Sequence, residues 1–281
     1  MEPAPESIAP TTRMGAVELT VADLDRSLEF YERVLGLPVL DRADGCASLG
    51  AGTGLLALVE EPGVRSARGH SGLYHYALLV PERADLARWL AHVARERIPL
   101  SGASDHFVSE AIYLRDPDDH GIEVYRDRPR EHWEGQVRRM TTLPLDVQDL
   151  LAEVGDEPFD GLAEGTTMGH VHFSVADIPE TVGFYRDVLG FDLMVALAGQ
   201  AAFLSAGGYH HHVGANVWES LGAPPAPPGT ARLRHATVVF PDAAERDRVA
   251  TRVEAVGLEP EPREAALLVR DPSGNALLLV G

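Results

Sequence analysis

The chain contains a gapless internal repeat. Residues 14–37 read MGAVELTVADLDRSLEFYERVLGL and residues 168–191 read MGHVHFSVADIPETVGFYRDVLGF, so the two segments align at an offset of 154. A second match begins at Asp116 (DPDDHGIEVY) and at Asp271 (DPSGNALLLV), at an offset of 155. Two matches so far apart, at nearly the same offset, indicate that the chain arose by duplication and folds as two similar halves.

Each half of the repeat contains a second copy of a strand–helix pattern. Residues 72–81 (GLYHYALLVP) and 232–241 (RLRHATVVFP) have the alternating apolar pattern of an opening strand. Each opening strand is followed by a segment with helical periodicity, and then by short strands between turn residues. The pattern predicts an α+β protein built from four consecutive βαβββ units.

The repeat also defines the expected domain boundaries. We assign residues 1–13 to a flexible tail, 14–128 to a first domain with units one and two, 129–167 to a linker, and 168–281 to a second domain with units three and four. The linker is charged and contains proline, which is typical of a connection between domains, and a short helix is predicted at 145–153.

Composition excludes several classes of protein. Acidic residues number 43 and basic residues 24, so the net charge of −19 disfavours binding to nucleic acid or to an anionic membrane surface. The single cysteine excludes an internal disulfide, and no apolar run approaches the ~20 residues of a membrane span. The first residues lack the apolar core of a secretion signal, so we expect a cytoplasmic protein. A homo-oligomer is compatible with the sequence, which does not determine the oligomeric state.

Three features together resemble the vicinal oxygen chelate superfamily: the FYxxVLG helix ends, the DPxxxGIE turn and the four βαβββ units. That superfamily includes glyoxalase I, methylmalonyl-CoA epimerases, bleomycin-resistance binders and extradiol ring-cleaving dioxygenases. The segments GHVHFSVADI, GGYHHHVGANVW and VSEAIYLRDP are similar to the two-domain catechol 2,3-dioxygenase type. The resemblance implies two half-open eight-stranded barrels, each built from a pair of units, with a metal in one of them.

The resemblance also implies where metal ligands lie: on the opening strand of a unit, and seven residues after the Asp of the DP turn. The opening-strand positions are Ala16, His75, His170 and His235, and the last-strand positions are Glu123 and Leu278. Units two and three supply His75, His170 and Glu123, the two-histidine, one-carboxylate set of oxygenase iron sites. Units two and four would supply His235 in place of His170, although a single histidine on a strand is more simply a packed residue. We expect a barrel assembled across the halves from units two and three.

The same resemblance assigns catalytic groups. The segment HHVGA matches an acid–base motif and places that role on His212, while Tyr113 and His106 are expected to hydrogen-bond substrate oxygens. His172 shares a strand face with His170 and is an alternative ligand or a supporting group. His210 is expected to be a neighbour of the site, and His211 to point away from it.

The function implied is extradiol-type ring cleavage of a catechol or hydroquinone-like diol by O2, with Fe(II) or Mn(II) as cofactor. His212 would take a proton from the bound diol and return one when the ring opens. A glyoxalase-like lyase or isomerase is one alternative, but it would need a fourth protein ligand. A metal-free binding or resistance protein of the same fold is the other, and it would have no need for a complete ligand set.

Overall fold

The computed structural model describes residues 6–155 and 158–281. Within them the strands are β1 (Arg13–Val21), β2 (Val39–Ala43), β3 (Cys46–Gly50), β4 (Gly54–Glu60), β5 (Arg65–Ser66), β6 (Gly72–Leu79), β7 (Gly102–Asp105), β8 (Ser109–Arg115), β9 (Gly121–Asp127), β10 (Leu143–Pro144), β11 (Thr167–Ser174), β12 (Asp192–Leu197), β13 (Ala201–Ser205), β14 (Val213–Asn216), β15 (Thr230–Ala231), β16 (Leu233–Val239), β17 (Glu261–Arg263), β18 (Ala266–Arg270) and β19 (Ala276–Val280). The helices are α1 (Leu24–Phe30), α2 (Arg83–Arg95), α3 (Arg130–Trp133), α4 (Val147–Leu151), α5 (Ile178–Val182) and α6 (Ala243–Ala255).

The predicted α+β class and the four βαβββ units are confirmed. Opening strands β1, β6, β11 and β16 are each followed by a helix and three strands. Helix α1 begins where the side chain of Asp23 accepts a hydrogen bond from the Arg26 amide. It continues as a π-helical turn over Tyr31–Leu35 and ends at Gly36, whose φ of 65° is left-handed. The repeated VLG sequence therefore marks a helix stop in both halves, because Gly190 plays the same part with a φ of 93°.

The strands form two large mixed sheets, and each sheet combines units from both halves. One has the order β17-β18-β19-β16-β1-β4-β3-β2 and is called here the 1–4 sheet. The other has the order β10-β7-β8-β9-β6-β11-β14-β13-β12 and is called the 2–3 sheet. Each curls into a half-barrel, with an antiparallel pair of opening strands at its centre. The units therefore pair across the duplication, and the short β10 extends the 2–3 sheet at one edge.

Helices connect the units that the sheets leave apart. The indole N–H of Trp89 on α2 donates to the carbonyl of Val34 in unit one, at 3.0 Å. At the equivalent place in the other half, the Arg252 guanidinium on α6 donates to the carbonyl of Val188, at 2.9 Å. Units within a half thus pack through helices, whereas units from different halves pair through strands. No helix among the described residues is long and apolar enough to cross a membrane.

The N-terminal segment is packed where the structure describes it. Ile8 is buried, and its amide donates to the carbonyl of Gly190 at 2.9 Å. The amide of Ala9 donates to Glu245 at 2.7 Å. The prediction of a flexible tail is therefore wrong for residues 6–12, and residues 1–5 lie outside the described residues. In the linker, the predicted helix corresponds to α4.

Candidate metal centre

Three buried side chains of the 2–3 sheet converge on one point. His75 lies on β6, Glu123 on β9 and His170 on β11, and these strands are direct neighbours in the sheet. The candidate ligand atoms of the three residues all lie within 4.8 Å of one another. Nε2 of His75 lies 3.0 Å from Oε2 of Glu123, and Nε2 of His170 lies 3.2 Å from the same oxygen. The structure thus brings together the three predicted ligands.

The protonation states at this point suit a metal cation. Burial opposes ionisation of Glu123, but the adjacent His170 and His75 outweigh it and hold the pKa of that carboxyl well below its usual range. Burial lowers the pKa of His170, against the opposing pull of Glu123. A carboxylate beside a neutral imidazole is the form that binds divalent metals.

Two buried nitrogens of this group, Nδ1 of His170 and Nε2 of His75, have no hydrogen-bond partner among the described residues. Nε2 of His75 is buried, and within the described residues it forms no hydrogen bond, although Glu123 is close. An unpaired polar nitrogen in a protein interior costs about 1–3 kcal/mol. A cation held between His75, His170 and Glu123 would satisfy Nε2 of His75, so the residues present fit a metal with the open positions of a facial triad.

His172 forms a hydrogen bond with a residue outside the His75–Glu123–His170 group. Its Nε2 accepts a hydrogen bond from the side-chain amide of Asn216 at 3.0 Å, which places its ring proton on Nδ1. Burial, together with the nearby His75 and His170, lowers the pKa of His172 well below its usual value. Gly214 leaves room for this ring, because a Cβ there would lie 2.8 Å from the Cγ of His172. The contacts therefore favour His170 over His172 as the ligand.

Tyr113 and His106 form a hydrogen-bonded pair at the cavity. Nδ1 of His106 lies 2.7 Å from the carbonyl oxygen of Thr141, which can only accept, so Nδ1 carries the proton. In the neutral ring Nε2 is then the acceptor, and the Tyr113 hydroxyl donates to it at 2.7 Å. Burial and the nearby Glu123 raise the pKa of Tyr113 well above its usual value. The phenol therefore presents oxygen lone pairs to a ligand.

The run of three histidines is arranged differently from the prediction. Residues 206–212 form turns between β13 and β14, so the alternation expected of a strand does not apply. His211 lines the cavity, and its ring centroid is 4.1 Å from that of His170. The ring of His212 instead accepts a hydrogen bond from the Ala206 amide at 3.1 Å and does not line the cavity. The prediction that His211 points away is wrong, and His211 occupies the place expected for His212.

His211 is the inner end of a hydrogen-bonded chain. Nε2 of the buried His210 lies 2.8 Å from the Asp127 carboxylate, and its Nδ1 lies 2.7 Å from Nδ1 of His211. The carboxylate can only accept, so Nε2 of His210 carries a proton. Nδ1 of His211 is occupied by its contact with His210, which leaves Nε2 of His211 as the ring nitrogen available to a ligand in the cavity. Burial, with His170 and His210 nearby, lowers the pKa of His211 well below its usual value and keeps the ring neutral.

Asp127 was not found from the sequence. It follows Glu123 on the same strand, where a single acidic residue carries no distinguishing signal. The turn before the histidines could have been recognised, because the chain reads GGYHHH. Both glycines adopt left-handed conformations, with φ of 61° at Gly207 and 69° at Gly208.

The converging groups open into a cavity of about 370 Å³. One side holds His75, Glu123, His170, His172 and His211, together with the Tyr113–His106 pair. The lining also includes aromatic and aliphatic side chains, among them Tyr74, Val195, Phe203 and Trp218. A cavity of this size with a few convergent polar groups is typical of a small-molecule site. Within the described residues, Glu123 is the one carboxylate that lines it.

His235 does not join this group. It lies on β16 in the 1–4 sheet, and its Nδ1 is 3.7 Å from a carboxylate oxygen of Glu18. The alternative pairing of units two and four is therefore wrong for the sheets, because β16 pairs with β1 and not with β6.

The fold and the residues at its centre define a duplicated βαβββ protein with a candidate metal centre. A family model described as Glyoxalase/Bleomycin resistance protein/Dioxygenase superfamily matches residues 13–124 and 167–279, and the chain belongs to this superfamily. The chain is 44% identical to a catechol-2,3-dioxygenase of Bacillus subtilis (strain 168) over 280 residues, which is 97% of this chain and 98% of that protein. Among solved structures, it is similar in fold to glyoxalase I of Zea mays, with a TM-score of 0.59, 17% identity, and coverage of 96% of this chain and 92% of that one.

Proposed function

We propose that the protein is an extradiol-type dioxygenase that opens the ring of a small aromatic diol with O2. His75, Glu123 and His170 would hold one divalent metal, Fe(II) by preference and Mn(II) as the other candidate. The observation that carries the proposal is the convergence of these three side chains on the wall of a cavity that also holds proton-accepting groups. The 44% identity to a catechol-2,3-dioxygenase supports the same reaction class.

When bound, such a metal supplies Lewis acidity that lowers the pKa of a coordinated hydroxyl, and open positions for a diol oxygen and O2. The protein supplies the groups that move protons. Nε2 of His211 is the ring nitrogen available to a ligand, so it would take one hydroxyl proton of the diol. The hydrogen-bonded chain through His210 to Asp127 holds His211 in place. The same imidazole would return the proton when the ring opens.

The remaining polar groups orient the diol. The oxygen of Tyr113 accepts a hydrogen bond from a substrate hydroxyl while its own proton stays on the bond to His106. Nδ1–H of His172 is a donor near the same point, because Asn216 occupies the other nitrogen. The aromatic walls, including Tyr74 and Trp218, contact the ring and exclude water.

An isomerase or lyase of the glyoxalase kind is supported less well. That chemistry would use a second carboxylate as ligand and base, and within the described residues the cavity offers only Glu123. The other cavity groups that could act as bases are imidazoles, which suits proton transfer to and from a diol.

The test is metal content and activity of protein loaded with Fe(II) without oxygen. Wild type should bind about one iron per chain and consume O2 with catechol, yielding a coloured ring-fission product. The His75→Ala variant should lose both properties. The matched control is His235→Ala, which removes a partly buried histidine from the corresponding strand of the other sheet and should retain both.

The outcomes separate the parts of the proposal. Iron retained by His75→Ala, or lost in His235→Ala, would contradict the assigned centre. If iron binds as assigned but no catechol or hydroquinone in a panel supports O2 uptake, the proposed reaction is contradicted. The assignment of the metal ligands would still stand.

A further inference from the structure

The 1–4 sheet contains a second cavity, of about 340 Å³, at the place that corresponds to the metal cavity. The repeat shows how its chemistry differs. Ala16, His235 and Leu278 stand where His170, His75 and Glu123 form the metal group. With a single histidine and no carboxylate at those positions, this cavity cannot hold a metal in the same way.

Arginines line this second cavity instead. They come from two parts of the 1–4 sheet: Arg232 directly precedes β16 and Arg234 lies on it, whereas Arg263 and Arg270 lie on β17 and β18. Glu18 is the one carboxylate among the described residues that line it. The cavity therefore gathers positive charge in a chain whose net charge is −19. A basic concave site in an acidic protein attracts anions selectively.

Not all of this charge is neutralised inside the protein. Arg234 pairs with Glu18 and with Glu61, each at 2.8 Å. Arg232 pairs with Glu61 at 3.2 Å, and Arg263 pairs with Glu261 at 2.7 Å. Arg270 forms no ion pair within the described part of the chain, and its guanidinium donates only to the carbonyl of Gly274, at 3.3 Å. At least one guanidinium at the cavity thus has N–H groups available for an anionic ligand.

The rest of the lining is mixed, with Ser71, Ser273 and Asn275 beside a few apolar side chains. Leu268 lies at the position that Tyr113 occupies in the metal cavity, and Leu233 and Pro225 lie on the same lining. Pro225 belongs to the connection between units three and four and forms a backbone bridge with Ser71, which also lines this cavity. The apolar side chains beside the guanidinium groups give an organic anion a surface for its apolar part, which a small inorganic anion would not use.

We propose that the second cavity is a binding site for a small organic carboxylate of about one ring in size. Arg270 and its neighbours would bind the carboxylate, in the two-point geometry that guanidinium groups favour. Leu268 and Leu233 would contact the apolar part. This inference does not depend on the proposed function, because no residue lining this cavity also lines the metal cavity.

The test is calorimetric titration of the full chain with benzoate at low ionic strength. The neutral isostere benzamide and inorganic phosphate are titrated in parallel. Benzoate should bind to one site, benzamide should not bind, and added salt should weaken the interaction. The Arg270→Gln variant should bind benzoate about tenfold to a hundredfold more weakly, because a charge-assisted hydrogen bond is lost.

Two further variants make the result specific. Arg263→Gln removes a second, exposed guanidinium of the cavity and should also weaken binding, so the test does not depend on one variant folding. Arg138→Gln removes an exposed arginine far from the cavity and should leave binding unchanged. Unchanged benzoate affinity in both cavity variants, equal binding of benzamide, or binding of phosphate in place of benzoate would overturn the proposal.

Discussion

Replacement of His211 by alanine tests the chemistry assigned to the metal cavity. His211 lines that cavity at the end of a hydrogen-bonded chain with His210 and Asp127, whereas the adjacent His212 accepts from the Ala206 amide. We expect His211→Ala to keep its metal and lose most turnover. We expect His212→Ala to keep both metal and turnover. The pair is well matched, because the two residues are neighbours of the same type and both are buried.

The size of each effect follows from the contacts. Proton transfer by a positioned imidazole contributes about 10²–10⁴ to a rate. The His211→Ala variant should therefore lose that factor in kcat, which corresponds to about 3–5 kcal/mol of transition-state stabilisation. The His212→Ala variant removes the acceptor for the buried Ala206 amide, at 3.1 Å, so its free energy of unfolding should fall by about 1–3 kcal/mol.

The assay is O2 uptake with catechol, normalised to bound iron, together with thermal unfolding of each variant. Circular dichroism of each variant confirms that the protein assayed is folded. Loss of more than about tenfold in turnover per bound iron in His212→Ala, with turnover retained in His211→Ala, would contradict the role proposed for His211. That outcome would support the acid–base role that the HHVGA segment implied for His212.

Three further predictions follow from contacts around the cavity. Asp127→Asn removes the charge that holds the ring proton of His210, so kcat per bound iron should fall about tenfold or more with metal content unchanged, as steady-state kinetics would show. Gly214→Ala places a Cβ 2.8 Å from an imidazole carbon and should lower the free energy of unfolding by about 1–3 kcal/mol in urea, whereas Gly183→Ala, with nothing within 4 Å, should not destabilise. Burial lowers the pKa of His212 to about 3, against about 6.5 in the unfolded chain, so the unfolded state binds more protons between these values. The metal-free protein should lose up to about 1.4 kcal/mol per pH unit from this group as pH falls below about 6.5, and His212→Gln should flatten that dependence in urea unfolding measured from pH 7 to pH 5.

The duplication and the strand–helix periodicity were sufficient to predict the four βαβββ units. They are local features, because the alternation of apolar residues and the glycine after each helix determine strand and helix within a few turns. The ligand offsets also placed His75, Glu123 and His170 on corresponding strands. A residue at a fixed offset from the DP turn has a fixed position in the strand register. Register is strongly specified wherever one strand face is buried.

The exact partners at the cavity depended on contacts between distant parts of the chain. The pairing of β6 with β11 joins the two halves, and it alone brings His170 next to His75. Asp127 and His210 lie 83 positions apart and meet only because units two and three share a sheet.

The sequence by itself therefore determined the fold class and the four units, because both depend on short-range periodicity. The three candidate ligands followed from the resemblance to the superfamily, whose ligand offsets apply within a single unit. Only the tertiary structure showed that His211, and not His212, lines the cavity. Two left-handed glycines turn the chain before β14, and this turn reverses the side-chain directions that an extended strand would have. The direction of a side chain in a turn depends on the path of the whole loop, and no period in the sequence records that path.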